Sequence, residues 1–175
     1  MPARIDEYGH IFSVSATFTR PSDTTAYAIG DLIANDVDAG DVVPLSLQAA
    51  RIASGGFIIR AARLWKSTTT LTAAAFRAHL FSELPVPSAG DNAAFNSSGV
   101  LGTTKGPQLI GSIDFTMDRA GSDGAIGFGT PSPSPEILFN MPDNFDDVYA
   151  LIEARGAYAP GSAEIFGLEL TGLQT

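Results

Sequence analysis

The sequence predicts an all-β chain, an antiparallel β-sandwich of jelly-roll type with about eight to ten strands. Three observations carry that expectation. Apolar and polar residues alternate with period two in at least five segments. Turn residues, with 18 glycines and 11 prolines among 175 residues, punctuate those segments at short intervals. No long stretch has the 3.6-residue periodicity of an amphipathic helix.

Taken in order, Phe12, Val14, Ala16 and Phe18 alternate with Ser13, Ser15 and Thr17, which places the apolar set on one buried face. Arg20-Pro21-Ser22-Asp23 then reads as a turn. Thr24–Ala34 is extended, with a break at Gly30-Asp31, and Asp36–Asp41 is a loop before a short apolar strand, Val42–Leu47. Ser54-Gly55-Gly56 turns into a long strand, Phe57–Ser67, and Thr68–Thr72 is the turn of a hairpin. Ala73–Phe81 is the best helical rival because alanine favours helix, but the alternation of Phe76, Ala78 and Leu80 with Arg77, His79 and Phe81 predicts a strand. Two prolines in Leu84–Gly90 stop it. Asp91–Gly106 is a loop, with a helical turn at Asn92–Phe95. Leu109–Asp118 is the cleanest strand, followed by a long Gly/Ser/Pro loop, Arg119–Pro135. Glu136–Asn140 is a short strand, Met141–Asp146 a turn, and Val148–Ala154 and Phe166–Leu170 are the last strands, on either side of a turn at Ala159–Ser162. Residues 1–10 read as an N-terminal arm and 11–175 as a single domain.

Composition bounds the function. Hydrophobic residues make up 45% and charged residues 17%, against about 25% charged in an average globular chain. Sparse charge suits a surface partly covered by a partner. With no cysteine, disulfides and thiolate metal sites are excluded. Met1–His10 is polar and carries Asp6 and Glu7, so no signal peptide is expected there. No apolar run reaches the roughly 20 residues of a membrane span, and the sequon at Asn96-Ser97-Ser98 reads as chance. The net charge of −9 disfavours nucleic acid as a partner. The charge is uneven: residues 42–82 hold Arg51, Arg60, Arg63, Lys66 and Arg77 with no acid, so this stretch is either a solvated basic strand face or a basic face that meets an acidic neighbour.

Chemistry-bearing patterns are few. There are two histidines, His10 and His79. A nucleophilic relay would need a hydroxyl and an orienting acid around one of them, and no Gly-x-Ser-x-Gly elbow is present. Asp36, Asp38 and Asp41 form an acidic loop with oxygen ligands at short spacing, a candidate cation site that lacks the full twelve-residue calcium pattern. Asp143, Asp146 and Asp147 form a second cluster. Paired carboxylates also suit glycoside hydrolysis, although a solvated loop is the simpler reading of both. Gly121–Gly129 has no Gly-Lys-Ser/Thr ending and is not a phosphate loop. Within it, Ile126 and Phe128 are large apolar residues that either fold back on the core or anchor in a neighbour. Trp65, the one tryptophan, serves either core packing or a ligand platform. No catalytic role, metal or cofactor is expected.

The segments Thr17–Asn35 (TFTRPSDTTAYAIGDLIAN), Gly111–Gly127 (GSIDFTMDRAGSDGAIG) and Ala150–Pro160 (ALIEARGAYAP), with Arg60–Leu84 and Gly90–Phe95 between them, resemble the jelly-roll head decoration, or cement, proteins of tailed bacteriophages. The likeness spans most of residues 12–170. It implies a non-enzymatic structural protein of the virion, a homotrimer that sits on the outer capsid surface, contacts the major capsid protein and bridges capsomers against the pressure of packaged DNA. A collar, tail or glycan-binding host-attachment component is the alternative. The candidate interface residues are Arg4, Ile5 and Tyr8 in the arm, Arg60, Arg63 and Lys66 in the basic strand, and Ile126 and Phe128.

Overall fold

A computed structural model describes residues 10–50, 54–102, 108–132, 134–142 and 145–174. The expected arm with Arg4, Ile5 and Tyr8 therefore lies outside the described residues, as do Arg51 and Asp143. Within them the chain is all-β, with two antiparallel sheets of six strands each.

The strands are β1 (His10–Thr19), β2 (Leu32–Ile33), β3 (Leu45–Gln48), β4 (Gly56–Lys66), β5 (Ala75–Phe81), β6 (Leu109–Thr116), β7 (Arg119–Ala120), β8 (Ala125–Gly129), β9 (Pro131–Ser132), β10 (Ile137–Asn140), β11 (Asp147–Ala154) and β12 (Ile165–Gln174). The first sheet runs β1-β12-β4-β8-β7, with β10 also on β4. The second runs β2-β11-β5-β6-β9, with β3 also on β11. Most successive main strands cross between the sheets (β5 and β6 pair directly), and the first and last lie side by side, which is the strand order of a jelly roll. Nine strands are four residues or longer, in line with the expected eight to ten; the other three are two-residue stubs.

Period-two alternation builds the core. Phe12 on β1, Phe57, Ile59 and Leu64 on β4, and Phe166, Leu168 and Leu170 on β12 point inward from the first sheet. Phe76, Ala78 and Leu80 on β5, Ile113 and Phe115 on β6, and Val148, Ala150 and Ile152 on β11 meet them from the second. The strand over Ala75–Phe81 holds against its helical rival because cross-strand pairing with β6 and β11 engages every residue of it. The helical turn expected at Asn92–Phe95 forms slightly later, as a 3-10 turn at Phe95–Ser97.

Two expectations about the strands are overturned. Thr68–Thr72 does not turn a hairpin, since β4 and β5 lie in different sheets. Arg119–Pro135 is not a long loop: it holds β7, β8 and β9. Its glycines read as flexibility in the sequence, yet they are there for close packing. A Cβ at Gly127 would lie 2.5 Å from the Thr116 carbonyl oxygen, and one at Gly129 2.6 Å from that of Asp114. β8 thus presses its backbone onto β6 of the opposite sheet. Large residues are tolerated there only on the outward side, where Ile126 and Phe128 stand.

Two buried polar knots fasten the loops. Arg20, just past β1, donates from Nε to the Tyr27 hydroxyl (2.7 Å) and from Nη2 to Asp91 Oδ2 (3.0 Å). Tyr27 and the Ala34 backbone N–H both donate to Asp91 Oδ1, at 2.6 and 2.8 Å. In the second knot, Lys66 Nζ donates to the Tyr158 hydroxyl at 2.9 Å and lies 3.4 Å from Glu164, and Tyr158 and Thr68 also donate to Glu164. Asp91→Ala is expected to lower the unfolding free energy by about 3–5 kcal/mol, the usual cost of stranding a buried charge. Urea denaturation measures it, and a loss below about 1 kcal/mol would mean that Arg20 finds water instead.

Candidate functional site

The two sheets differ on their outer sides. The second sheet's outer face is covered over part of β5 and β11, while Asp114 and Thr116 on β6 stay exposed. Phe81 on β5 and Leu151 on β11 turn outward into a small second core with Leu32, Val42, Phe95 and Val100, beneath the segment around residues 84–102. The first sheet's outer face is open among the described residues, and most of the described candidate residues collect on it.

Strand register arranges that face in rows. At one end Ile11, Leu173, Ile58 and Leu138 lie side by side across β1, β12, β4 and β10. Ile11 is 81% and Leu138 73% exposed. A polar row follows, Ser15-Glu169-Arg63-Phe128, and then Thr17-Gly167-Trp65-Ile126-Arg119. Arg63 is ion-paired with Glu169 across the sheet, and Arg60, at the irregularity where β4 slips against β12, pairs with Glu136 at 2.8 Å. Arg60 and Arg63 are therefore neutralised locally instead of forming a bare basic surface. Phe128 is 58% exposed, with the Arg119 guanidinium 5.0 Å over its ring.

Lys66 is the candidate that leaves this face. The register puts it inward, and its side chain is fully buried in the knot with Glu164. Burial pulls its ammonium below the ordinary lysine range, against the opposing pull of Glu164. Ile126 and Phe128 are not a lid over the core, since both point away from it. Trp65 is not core either: it lies flat across β12, with its indole where a Cβ of Gly167 would be, 2.1 Å from Cε2. Beside it, a groove of about 450 Å³ is lined by Arg63, Trp65, Ser67, Asp123, Ile126 and Ile165.

The acidic clusters divide. Asp36, Asp38 and Asp41 bring carboxylate oxygens within 4.8 Å of one another around a 3-10 turn at Ala39–Asp41. Three carboxylates are only part of the six to eight oxygens calcium takes, and exposed acids converge in this way without an ion. Asp146 and Asp147 serve packing, accepting hydrogen bonds from Gln48 (2.9 Å) and Ser46 (2.6 Å) and so bracing β3 against β11. His10 is exposed at the start of β1.

His79 is the group whose role the sequence did not reveal. It is buried on the outer side of β5, with Nε2 2.8 Å from Glu153 Oε2 and its ring stacked on Phe95 at 4.3 Å. Among the described residues Nδ1 has no partner. A relay would need a hydroxyl at that nitrogen. The arrangement pins the long segment carrying Phe95 onto the sheet.

No family model, no curated protein and no solved structure matches this chain.

Desolvation holds the His79 imidazole below its ordinary value of 6.5, outweighing the pull of Glu153. The unfolded chain then takes up the proton first as pH falls. The stability gained by keeping His79 neutral is complete above about pH 6.5 and is lost progressively below it, down to the folded value. Urea denaturation between pH 8 and pH 5.5 should show a decline that is shallower in His79→Gln. Equal slopes would remove His79 as the titrating group.

Proposed function

We propose that the chain is a structural virion protein, a decoration protein that binds the outside of a tailed-bacteriophage capsid as a trimer and bridges capsomers. One observation carries the reading: the outer face of the first sheet displays Ile11, Leu138, Phe128 and Ile165 to solvent while its charges are paired within the face. Large apolar side chains exposed at both ends of one face, with the charges between them paired off, are what an interaction surface offers a partner. The second sheet buries its outward apolar residues Phe81 and Leu151 under its own chain, so the first sheet offers the more apolar side for docking. The resemblance of Thr17–Asn35, Gly111–Gly127 and Ala150–Pro160 to phage cement proteins supplies the partner, the major capsid protein. Weak contacts on a symmetric shell gain strength through effective concentration once several are linked.

Incubation of the purified chain with DNA-filled heads lacking it, followed by cryo-EM, is expected to show hundreds of copies as trimers on the outer surface. Phe128→Ala should weaken head binding by about 10- to 30-fold, as expected of a central aromatic anchor. A chain that stays monomeric and never associates with heads would sink the reading.

The groove beside Trp65 favours a second reading, a glycan-binding component of the collar or tail. An aromatic face next to Asp123 and Ser67 is the kind of surface that stacks a sugar ring and bonds its hydroxyls. A dozen or fewer copies per particle, with saccharide-dependent quenching of Trp65 fluorescence, would select it over decoration.

A further inference from the structure

β1 is an edge strand. It pairs with β12 along its whole length without a register shift, and among the described residues no strand pairs with its other side. Natural edges of this kind are normally blocked by lysine, proline, a bulge or a covering loop, because an open row of backbone donors and acceptors invites another chain. Ile11–Thr19 contains no charged residue and no proline. Its inward side chains Val14, Ala16 and Phe18 are only half-buried, unlike the fully buried set on β12. Beside its second half runs a cleft of about 390 Å³ walled by Asn35, Val43 and Pro44, with Val43 69% exposed.

The strand also reads nearly the same in both directions about Ser15. In an antiparallel pairing of two copies through a two-fold axis at Ser15, Phe12 of one copy faces Phe18 of the other, Val14 faces Ala16, Ser13 faces Thr17 and Ser15 faces Ser15. From Phe12 to Phe18 each apolar residue meets an apolar residue on the core side and each hydroxyl meets a hydroxyl on the outer side, the pairings that stabilise neighbouring strands; only the terminal pair, Ile11 with Thr19, is mixed. This is the self-complementarity a two-fold interface requires.

We infer that β1 is a self-association strand: two copies of this chain join edge to edge through antiparallel β1–β1 pairing centred on Ser15, making one continuous sheet across the pair. Charge favours a second copy over an acidic or basic partner. Each copy carries −9 overall, and this strip is a stretch where two such molecules meet without opposing charges. Nine residues give an edge roughly 30 Å long, and the side of a two-sheet sandwich is roughly 20 Å wide, so about 600 Å² per copy would be covered. That falls short of the roughly 800 Å² per partner of a standard stable interface, and the pair is accordingly a weak one. The inference does not rest on the decoration reading, since it concerns the isolated chain.

The absence of cysteine makes the test clean. Ser15→Cys places two thiols opposite each other on the axis, within the Cα separation a disulfide needs. Under mild oxidation at roughly 100 µM, where a transient pair is trapped once its thiols meet, it is expected to give a covalent dimer on a denaturing gel. Ser13→Cys alone should remain uncrosslinked, and an equimolar mixture of Ser13→Cys with Thr17→Cys should crosslink. Ser15→Lys puts like charges face to face and should weaken reversible association in sedimentation by at least tenfold, without changing thermal stability, because residue 15 is exposed. Crosslinking of Ser13→Cys as fast as Ser15→Cys, or none in either, would overturn the inference. Head binding is a separate readout, so loss of one reading leaves the other standing.

Discussion

The buried contact between Arg20 and Asp91 is the constraint on which the architecture outside the strands depends. Strand alternation alone would produce two stacked sheets with free loops. Asp91 gathers the chain just after β1, the Tyr27 segment and the backbone after β2 into one place. From there the chain runs through Ala93, which bonds Leu32, to Phe95, whose backbone N–H bonds Gly30 at 2.7 Å and whose ring stacks on His79. The buried charge pair thus anchors the start of the segment that covers part of the second sheet's outer face, where the Phe95 and Val100 cluster completes the packing. Its Coulomb energy matters less than its location, because a charge so enclosed has no alternative partner in water.

That covering leaves the two sides of the sandwich unequal. One side of the sandwich is partly covered by its own chain and the other displays aliphatic and aromatic side chains. The basic stretch of residues 42–82 divides along the same line. Lys66 is consumed inside the fold, Arg77 pairs with Asp114 on the second sheet, and Arg60 and Arg63 pair with acids on the first. The four described members of this basic block become a set of local pairs, because the segments that carry the acids are distant in sequence and adjacent in space.

Much of the fold was legible because period-two alternation needs no long-range knowledge. Phe12–Phe18, Ile113–Met117 and Val148–Ala154 all face the core as their spacing requires. β8 was missed because its inward positions are Ala125, Gly127 and Gly129. Glycine signals a flexible turn in a sequence, while here it signals close contact with another backbone, and only the tertiary structure distinguishes the two. The site was less legible than the fold. Lys66 looked like its neighbours Arg60 and Arg63, and the irregularity between β4 and β12 that sets which side each occupies leaves no mark in composition. The parity of Lys66 with Ala62 and Leu64 was the available signal, and the general rule that lysine is exposed outweighed it. The buried role of His79 depended on a loop some 15 residues away in sequence, which alternation does not describe.

Charge and surface together limit how such molecules meet. A chain with nine net negative charges repels its own copies at long range, an effect that salt screens over about 8–10 Å. Contact is therefore least opposed where charge is absent, as along β1, or internally cancelled, as on the face bearing Arg60–Glu136 and Arg63–Glu169. These two surfaces are neighbours: β1 is the edge of the sheet whose outer face is open, and Ile11 belongs to both. An edge joined to a second copy would extend the open face across two sandwiches, doubling the apolar surface offered to a third partner without adding a single residue. On the proposed pairing, a sheet packed on one face, open on the other and unblocked at one edge would assemble in its own plane.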